Sequence, residues 1–399
     1  MAPTSFSSLP PELVSKICSD PGVKKKDLIA LRLASKAQGI HASTTKAFGK
    51  LCFTVVPLVY TRYSLETFVN ICGHPIFGPC VREVKLSCMR FDSYDFGSFV
   101  KIMVEWGYPR EQLLNEVQLL AARCDEEDLF YTSDAKVLLE RAFAHLAESD
   151  HSLTIVVSTD EYRALGQNRI CEAEPEVKYF YADVPSTLNL LLGSAKRVGC
   201  SVSKLDIAVA SRRFFHDSEF DLSDLMHSIS EVELELTLVN DYANEEPRSF
   251  ILWVRDLLSH GTSIKSLKLC PMIFDDDDNR KIEPFFQVIS RLLLEKLDLH
   301  DFSMSQKAMT DLLESLGSTL RRLSIDCCDM AGTWREVVVS IQKNCSQLDH
   351  LQIYDVRTAW LRPWKAYEGT TAVRLGLEEL LQAEQDAAEE DSHDESDEE

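Results

Sequence analysis

The sequence predicts an α/β solenoid: a short helical unit at the N-terminus, a horseshoe of repeated strand–helix units with parallel strands and outer helices, and a disordered acidic C-terminal tail. Three observations predict it. The pattern L-x-x-L-x-L recurs in the second half of the chain, amphipathic stretches separate its copies, and residues 9–50 carry helical patterns of their own. One strand and one helix cannot bury both apolar faces, so such units are stable only when stacked.

The N-terminal helical unit spans residues 9–50. Pro10 and Pro11 suit the first turn of a helix, because proline fixes φ near its helical value. Pro21 and Gly22 are expected to end this helix. Its apolar side chains follow a 3.6-residue period: Leu13, Val14, Ile17 and Cys18.

A second and a third helix are predicted in the same unit. Asp27 is the expected N-cap of the second helix and Gly39 its expected stop. The apolar residues of these helices are Leu28, Leu31 and Leu33, then Ala47, Phe48 and Leu51. Forty residues are too few to bury a core alone, so the unit is expected to be completed by a partner. The alternative is a helical cap on the repeat body.

Charge sets the N-terminal unit apart from the rest of the chain. Residues 9–50 hold eight Lys or Arg against three Asp or Glu, whereas the whole chain carries a net charge of −22. A basic unit on an acidic body favours an acidic partner surface and speeds association with it. The alternative is that Lys24, Lys25 and Lys26 only keep a loop solvated.

The segment 51–80 is predicted to connect this unit to the repeat body and to hold the first helix of the repeat pattern. Ser64 is the expected N-cap of that helix, and Gly73 with Pro75 should end it. A strand is expected at 81–86. Farther along, the periodicity predicts helices at 96–106, 112–122, 133–147 and 185–198, and a strand at 153–157.

The repeat body is predicted to cover residues 81–360. In its six clearest copies of the L-x-x-L-x-L pattern, the middle apolar residue follows that of the previous copy after 29, 33, 30, 26 and 28 residues. These middle residues are Leu205, Leu234, Leu267, Leu297, Leu323 and Leu351. Amphipathic helices are expected between the strands, at 250–258, 284–293, 308–316 and 334–342.

Alternate residues of stacked parallel strands form columns on the exposed face of the sheet. One predicted column consists of Asp206, Glu235, Lys268, Asp298, Ser324 and Gln352. This polar face is the expected protein-binding surface, with Tyr354, His300 and Arg322 as its best anchors. The candidate substrate-binding residues are Lys296, Asp298, His300, Arg322, Asp326 and Tyr354.

The C-terminus is predicted to cap the repeats and then to lose structure. Residues 361–382 form the expected capping segment, with a helix over 373–388 that carries Val373, Leu377 and Leu380 on one stripe. Residues 383–399 contain ten acidic residues and no Lys or Arg. Such a composition cannot bury apolar surface, so disorder is expected there.

The sequence lacks the common motifs of nucleotide binding, nucleophilic catalysis and metal binding. No phosphate-binding loop, dinucleotide fingerprint, nucleophile elbow or H-E-x-x-H pattern occurs. The twelve cysteines include no C-x-x-C pair, and the four aspartates at 275–278 lack the spacing of a calcium loop. The chain is therefore expected to be non-catalytic, without metal or cofactor. Its acidity argues against nucleic-acid binding, and no apolar run is long enough for a membrane span.

The N-terminal unit resembles the F-box family, and the segment after it is similar to fungal members that continue into irregular leucine-rich repeats. The resemblance lies in Leu9, Pro10, Glu12, Leu13, Val14 and Ile17, then Asp27, Leu28, Leu31, Arg32, Leu33, Ser35 and Lys36. It implies a substrate-recognition subunit of an SCF-type ubiquitin ligase, located in the cytoplasm, the nucleus or both. The implied partners are a Skp-type adaptor, a cullin scaffold and a protein substrate. The implied adaptor-binding residues are Leu9, Pro10, Leu13, Val14, Ile17, Leu28, Leu31 and Leu33.

Two other functions stay open at the level of sequence. One is an interaction scaffold that does not engage a ligase. The other is an acidic chaperone for basic proteins such as histones, because leucine-rich repeats followed by an acidic tail resemble the acidic nuclear phosphoproteins.

Overall fold

A computed structural model describes residues 10–20, 22–34, 38–91, 133–159, 180–211, 223–238, 248–273, 283–354 and 365–394, together with isolated positions between 101 and 114. Over these residues the fold is α/β. Ten strands form an open, mostly parallel sheet, and helices alternate with many of these strands along the chain. Four shorter strands form two further pairs. The chain divides into two compact units, residues 1–202 and 203–399.

Some sequence predictions lie outside the described residues. They include Leu9, Pro21, Ser35 and Lys36, most of the helices expected at 96–106 and 112–122, the four aspartates at 275–278, residues 361–364 of the capping segment and residues 395–399. These stay predictions.

The first unit begins with three helices: α1 (Pro11–Cys18), α2 (Lys25–Ala34) and α3 (Gln38–Phe53). As expected, Pro10 is the residue before α1 and Pro11 is the first residue of the helix. The prediction that Asp27 is the N-cap of α2 is wrong, because Asp27 lies inside the first turn. Its carboxylate accepts the backbone N–H of Lys24 at 3.1 Å, which is the back-reaching half of a capping box. Gly39 does not end α2 either, since α2 ends at Ala34 and Gly39 lies in the first turn of α3.

The rest of the first unit alternates strands and helices. In chain order its elements are β1 (Val55–Leu58), α4 (Arg62–Cys72), a 3-10 turn (Gly78–Cys80), β2 (Glu83–Ser87), β3 (Met89–Phe91), α5 (Ser133–Ala147), β4 (Leu153–Ser158), β5 (Phe180–Ala182) and α6 (Val184–Arg197). Strands β1, β2 and β4 pair in parallel, and β3 pairs antiparallel with β5. The helix predicted at 133–147 is confirmed at both ends, whereas β1 was not predicted.

Thr61, not the predicted Ser64, caps α4. Thr61 has extended backbone angles and its side chain accepts the N–H of Ser64 at 3.2 Å. The Ser64 hydroxyl instead accepts the N–H of Val59 at 3.2 Å. Thr61 and Ser64 both carry the hydroxyl that is typical of an N-cap. Only the extended backbone angles of Thr61 identify Thr61 as the cap.

Apolar and ionic contacts hold the helices of the first unit together. The rings of Phe68 and Phe143, both fully buried, meet edge to face with centroids 6.0 Å apart and join α4 to α5. Arg62 also pairs with Asp134 at 2.7 Å across the same two helices. Arg197 of α6 pairs with Glu140 of α5 at 3.0 Å.

The second unit repeats a strand-then-helix order. Its elements are β6 (Val202–Ser211), whose first residue belongs to the first unit, α7 (Ser223–Met226), β7 (Glu231–Leu238), α8 (Arg248–Ser259), β8 (Ser266–Ile273), α9 (Glu283–Ile289), β9 (Lys296–His300), β10 (Ser303–Ser305), α10 (Gln306–Leu316), β11 (Arg322–Asp326), β12 (Asp329–Ala331), α11 (Trp334–Asn344), β13 (His350–Tyr354), β14 (Lys365–Glu368) and α12 (Thr370–Asp394). The six strands predicted from the L-x-x-L-x-L pattern are confirmed, and so are the four helices predicted between them, except that α9 ends at Ile289 and not at the predicted residue 293.

The apolar core of the second unit follows the register of the strands. Leu297 pairs with Leu267 on one side and with Leu323 on the other, and Leu323 pairs with Leu351. All four side chains have 0% exposure. The repeat pattern therefore places its middle leucines in one buried row across β8, β9, β11 and β13.

The predicted register of β7 is wrong by two residues. The structure pairs Val232, not Leu234, with both Leu205 and Leu267. Glu233 rather than Glu235 thus lies between Asp206 and Lys268 in the polar column, whose members are partly buried and whose Ser324 is only 8% exposed. Side chains of a strand alternate with a period of two, so a shift of two residues leaves every side chain on the same face and is invisible in the apolar pattern.

The C-terminal part differs from the prediction in two ways. β14 was not expected and pairs antiparallel with β13. The capping helix is present as α12, but it continues to Asp394 and so enters the segment 383–399 for which disorder was predicted. Alanine and glutamate, which dominate residues 383–390, are strong helix formers.

Candidate functional site

The N-terminal helices form a small inner core. Val14 and Cys18 of α1, each 2% exposed, meet Leu28 of α2 at 0% and Ala47 of α3 at 6%. Leu31 is half-buried against this cluster. Two predicted adaptor contacts, Val14 and Leu28, are therefore covered by the chain itself. They support the fold of the unit rather than offer a surface.

Two apolar pairs lie on the outer sides of α1 and α2. Leu13 and Ile17, one turn apart on α1, are 48% and 45% exposed, and Leu33 on α2 is 79% exposed. Ile29, one turn before Leu33, is 37% exposed. We call these four residues the outer apolar pairs. Pro10 is also exposed, at the start of α1. Ile29 was missed from the sequence, although its i, i+4 spacing from Leu33 indicates a shared face.

Arg32 fixes α2 on α3. Its Nη1 donates to the hydroxyls of Thr44 at 3.0 Å and Thr45 at 3.2 Å. The guanidinium also lies 4.6 Å above the centre of the Phe48 ring, a stabilising cation–π distance. Arg32 thus serves the internal geometry of the N-terminal helices.

Four rings join α3 to the turn that follows α4. The Phe48 centroid is 5.8 Å from that of Phe53 and 6.2 Å from that of Phe77, and Phe53 is 4.7 Å from Phe77. The His74 imidazole stacks on Phe77 with centroids 4.0 Å apart. His74 Nδ1 accepts the backbone N–H groups of Ile76 and Phe77 at 3.2 and 3.3 Å. This aromatic cluster fixes the end of α3 on the remainder of the first unit.

Replacing Phe77 by alanine is expected to loosen α3, because three aromatic contacts are lost. We expect the free energy of local opening to fall by about 1–3 kcal/mol, measured by amide hydrogen exchange in residues 38–53. Ile76→Ala is the control, since Ile76 is 42% exposed and its truncation should change this exchange little. Equal effects of the two variants would contradict the role given to the aromatic cluster.

The six predicted substrate-binding residues come together on adjacent strands β9, β11 and β13. Lys296 lies beside Arg322, and Asp326 lies between His300 and Tyr354 in the register. Lys296 Nζ pairs with Asp298 at 2.8 Å, and His300 Nδ1 lies 3.1 Å from an Asp326 carboxylate oxygen. Much of the charge on this face is thus already compensated within the chain. Tyr354 is 43% exposed and offers the largest accessible ring of the six.

Three buried thiols, those of Cys200, Cys328 and Cys345, are poorly suited to nucleophilic chemistry. Burial raises the pKa of Cys345 and of Cys328 to about 12 and that of Cys200 to about 11. The thiolate, which is the reactive form, is therefore scarce at neutral pH.

The raised thiol pKa values predict a loss of stability in alkali. In the unfolded chain these thiols ionise near pH 9.0, whereas the folded chain keeps Cys345 protonated to about 12. The stability that these protonated thiols contribute to the folded state is complete below pH 9 and is lost as the pH rises from 9 towards 12. We expect Cys345→Ala to reduce the fall in unfolding free energy between pH 9 and 10, by at most about 1.4 kcal/mol, in urea titrations at each pH. An identical fall in both proteins would contradict this assignment.

Among the described residues, no group of three or more His, Cys, Asp or Glu side chains is placed to hold a metal ion. No helix in that part of the chain is both long and apolar enough to cross a bilayer. The chain matches no protein-family model, and no curated protein matches it.

Proposed function

We propose that this chain is the substrate-recognition subunit of an SCF-type ubiquitin ligase. In this proposal the N-terminal helices bind a Skp-type adaptor and the polar face of the repeat strands binds a protein substrate. The observation that carries the proposal is the pair of apolar surfaces on α1 and α2. Leu13, Ile17 and Leu33 stay exposed although an inner core made by Val14 and Leu28 is already complete.

Energetics support docking at the outer apolar pairs. Fully burying one exposed aliphatic side chain of this size contributes about 1.5–3 kcal/mol. The four side chains are 37–79% exposed, so docking gains roughly half of four such values, about 3–6 kcal/mol. This gain matches only the lower end of the cost of about 4–15 kcal/mol for immobilising a partner. The excess of basic residues in 9–50, eight against three acids, adds attraction to an acidic adaptor. The surface is therefore suited to a partner that supplies both apolar and acidic groups.

The strand face supports the substrate end of the proposal. Its charges are arranged in internal pairs such as Lys296–Asp298, so a substrate is selected by matching a fixed polar pattern rather than by bulk charge. Tyr354 and the exposed Arg322 are of the residue types that dominate binding energy in protein interfaces. The chain then promotes ubiquitin transfer by positioning its substrate, without chemistry of its own.

Reconstitution with purified proteins tests the proposal. The full chain is mixed at micromolar concentration with a recombinant fungal Skp-type adaptor and the adaptor-binding part of a cullin, and the mixture is separated by size-exclusion chromatography. We expect the three proteins to elute together. A chain that elutes alone would overturn the proposal and favour an interaction scaffold.

A truncation separates the proposal from an acidic chaperone. Removing residues 383–399 deletes ten acidic residues but leaves α1 and α2 intact. We expect adaptor binding to be unchanged in the truncated chain. Histone binding by the full chain that the truncation abolishes would instead support the chaperone function.

A further inference from the structure

A groove runs between α8 and α9 on the helical side of the second unit. Its volume is about 580 Å³. The residues that line it include Leu252, Arg255, Asp256 and Ser259 from α8, and Val288 and Arg291 from α9 and the turn after it. None of these residues belongs to the strand face or to the outer apolar pairs.

The side of α8 that lines the groove carries an exposed leucine. The core side of α8 is fully packed, since Trp253, Val254 and Leu257 are at most 2% exposed. Leu252, which lines the groove from another side of α8, is 48% exposed.

The lining of α8 is one continuous face of the helix. Leu252, Arg255, Asp256 and Ser259 follow at i, i+3, i+4 and i+7, which places them on one side of the helix. An apolar side chain and a guanidinium thus lie next to each other along the groove. Val288 lies in the opposite wall but is only 7% exposed, so Leu252 supplies most of the accessible apolar surface.

The groove is locally basic in an acidic protein. Arg255 and Arg291 are both exposed, and neither guanidinium has an ion-pair partner in the described part of the chain. The one acid of the lining, Asp256, has its carboxylate 3.6 Å from His260 Nε2. Two arginines without a salt bridge favour an anionic ligand, and their planar donors match a carboxylate. The Asp256 carboxylate disfavours a ligand of high charge density.

We propose that this groove binds a short peptide segment of a partner protein in which one or two carboxylates lie next to an aliphatic side chain. The aliphatic side chain packs on Leu252 and Val288, and the carboxylates meet Arg255 and Arg291. The inference goes beyond the ligase proposal and does not depend on it, because the groove and the docking helices share no residue.

Peptide display tests the proposal without prior choice of a sequence. A phage library of random twelve-residue peptides is selected on the full chain, on the charge-reversal variant R255E/R291E and on the control R335E/R374E. The control changes the net charge equally at two exposed arginines of α11 and α12. We expect peptides with an acid beside Leu, Ile or Val to be enriched on the wild type and the control but not on R255E/R291E. Equal enrichment on all three proteins, or no such peptides on the wild type, would overturn the proposal.

Affinity measurements locate the contacts of the most enriched peptide. Fluorescence anisotropy with the labelled peptide is expected to show at least tenfold weaker binding to Arg255→Ala and to Arg291→Ala, and weaker binding to Leu252→Ser. The same peptide with Asn and Gln in place of its acids should also bind at least tenfold more weakly. Circular dichroism verifies that each variant is folded. Unchanged affinity in both arginine variants would show that the peptide binds another surface and would refute the proposal that this groove binds it.

Discussion

Replacing Leu13 by aspartate is expected to abolish binding of a Skp-type adaptor while the chain keeps its fold. Leu13 is 48% exposed, so the folded chain hydrates the new carboxylate. Docking would bury that carboxylate without a partner, which costs several kcal/mol, and each 1.4 kcal/mol weakens binding tenfold. We expect at least about 100-fold weaker affinity by isothermal titration calorimetry, with an unchanged melting temperature.

The neighbouring residue supplies the matched control. Val14 is only 2% exposed and lies in the inner core, so Val14→Asp places a charge inside the unit. We expect this variant to lose the helical structure of the N-terminal unit, seen as fast amide exchange over residues 11–34. Adaptor affinity that survives in Leu13→Asp, or a stable Val14→Asp chain, would reverse the assignment of the inner and outer faces of α1.

Truncating Leu323 to alanine is expected to cause the largest loss of stability in the second unit. Leu323 has 0% exposure and lies between Leu297 and Leu351 in the buried row. A cavity there removes contacts with the strands on both sides. We expect the free energy of unfolding to fall by about 2–5 kcal/mol, measured by urea titration followed by far-ultraviolet circular dichroism.

Leu293→Ala is the control for Leu323→Ala. The same chemical change at Leu293, which is 67% exposed, removes little buried surface and should alter stability by less than about 0.5 kcal/mol. Similar losses for both variants would mean that the leucine row is not the core of the repeats.

The repeat body was largely predictable because its signal is periodic. Each L-x-x-L-x-L copy combines strand alternation with a fixed distance to the next copy, and the row through Leu267, Leu297, Leu323 and Leu351 follows from that distance. The L-x-x-L-x-L copy in β7 is less clear, because three alternate residues of this strand are apolar. Val232, Leu234 and Leu236 fit the pattern in two frames, and only hydrogen-bond pairing chooses between them.

Helix ends and short strands were less predictable than helix interiors. The cap of α4 depends on the backbone angle of Thr61, and Asp27 reaches back to Lys24 from inside α2. Such choices are decided by the conformation of one residue. β1 and β14, of four residues each, are too short to show a period and depend on pairing with longer strands.

The candidate docking surface was predictable in position but not in orientation. Leu13, Val14, Ile17 and Cys18 are two apolar pairs at adjacent positions, so the period of the helix fits either pair as the buried one. Contacts with Leu28 and Ala47 select Val14 and Cys18. Tertiary packing thus divides one sequence stripe into an inner core and an exposed surface.

Hydrogen–deuterium exchange of the full chain, alone and with a Skp-type adaptor, tests the central claim most directly. If α1 and α2 form the docking surface, peptides that cover residues 11–18 and 25–34 will exchange more slowly in the presence of the adaptor, and those over β9, β11 and β13 will not change. An adaptor that leaves exchange in α1 and α2 unaltered at micromolar concentration would contradict the claim that these helices form an adaptor-binding surface.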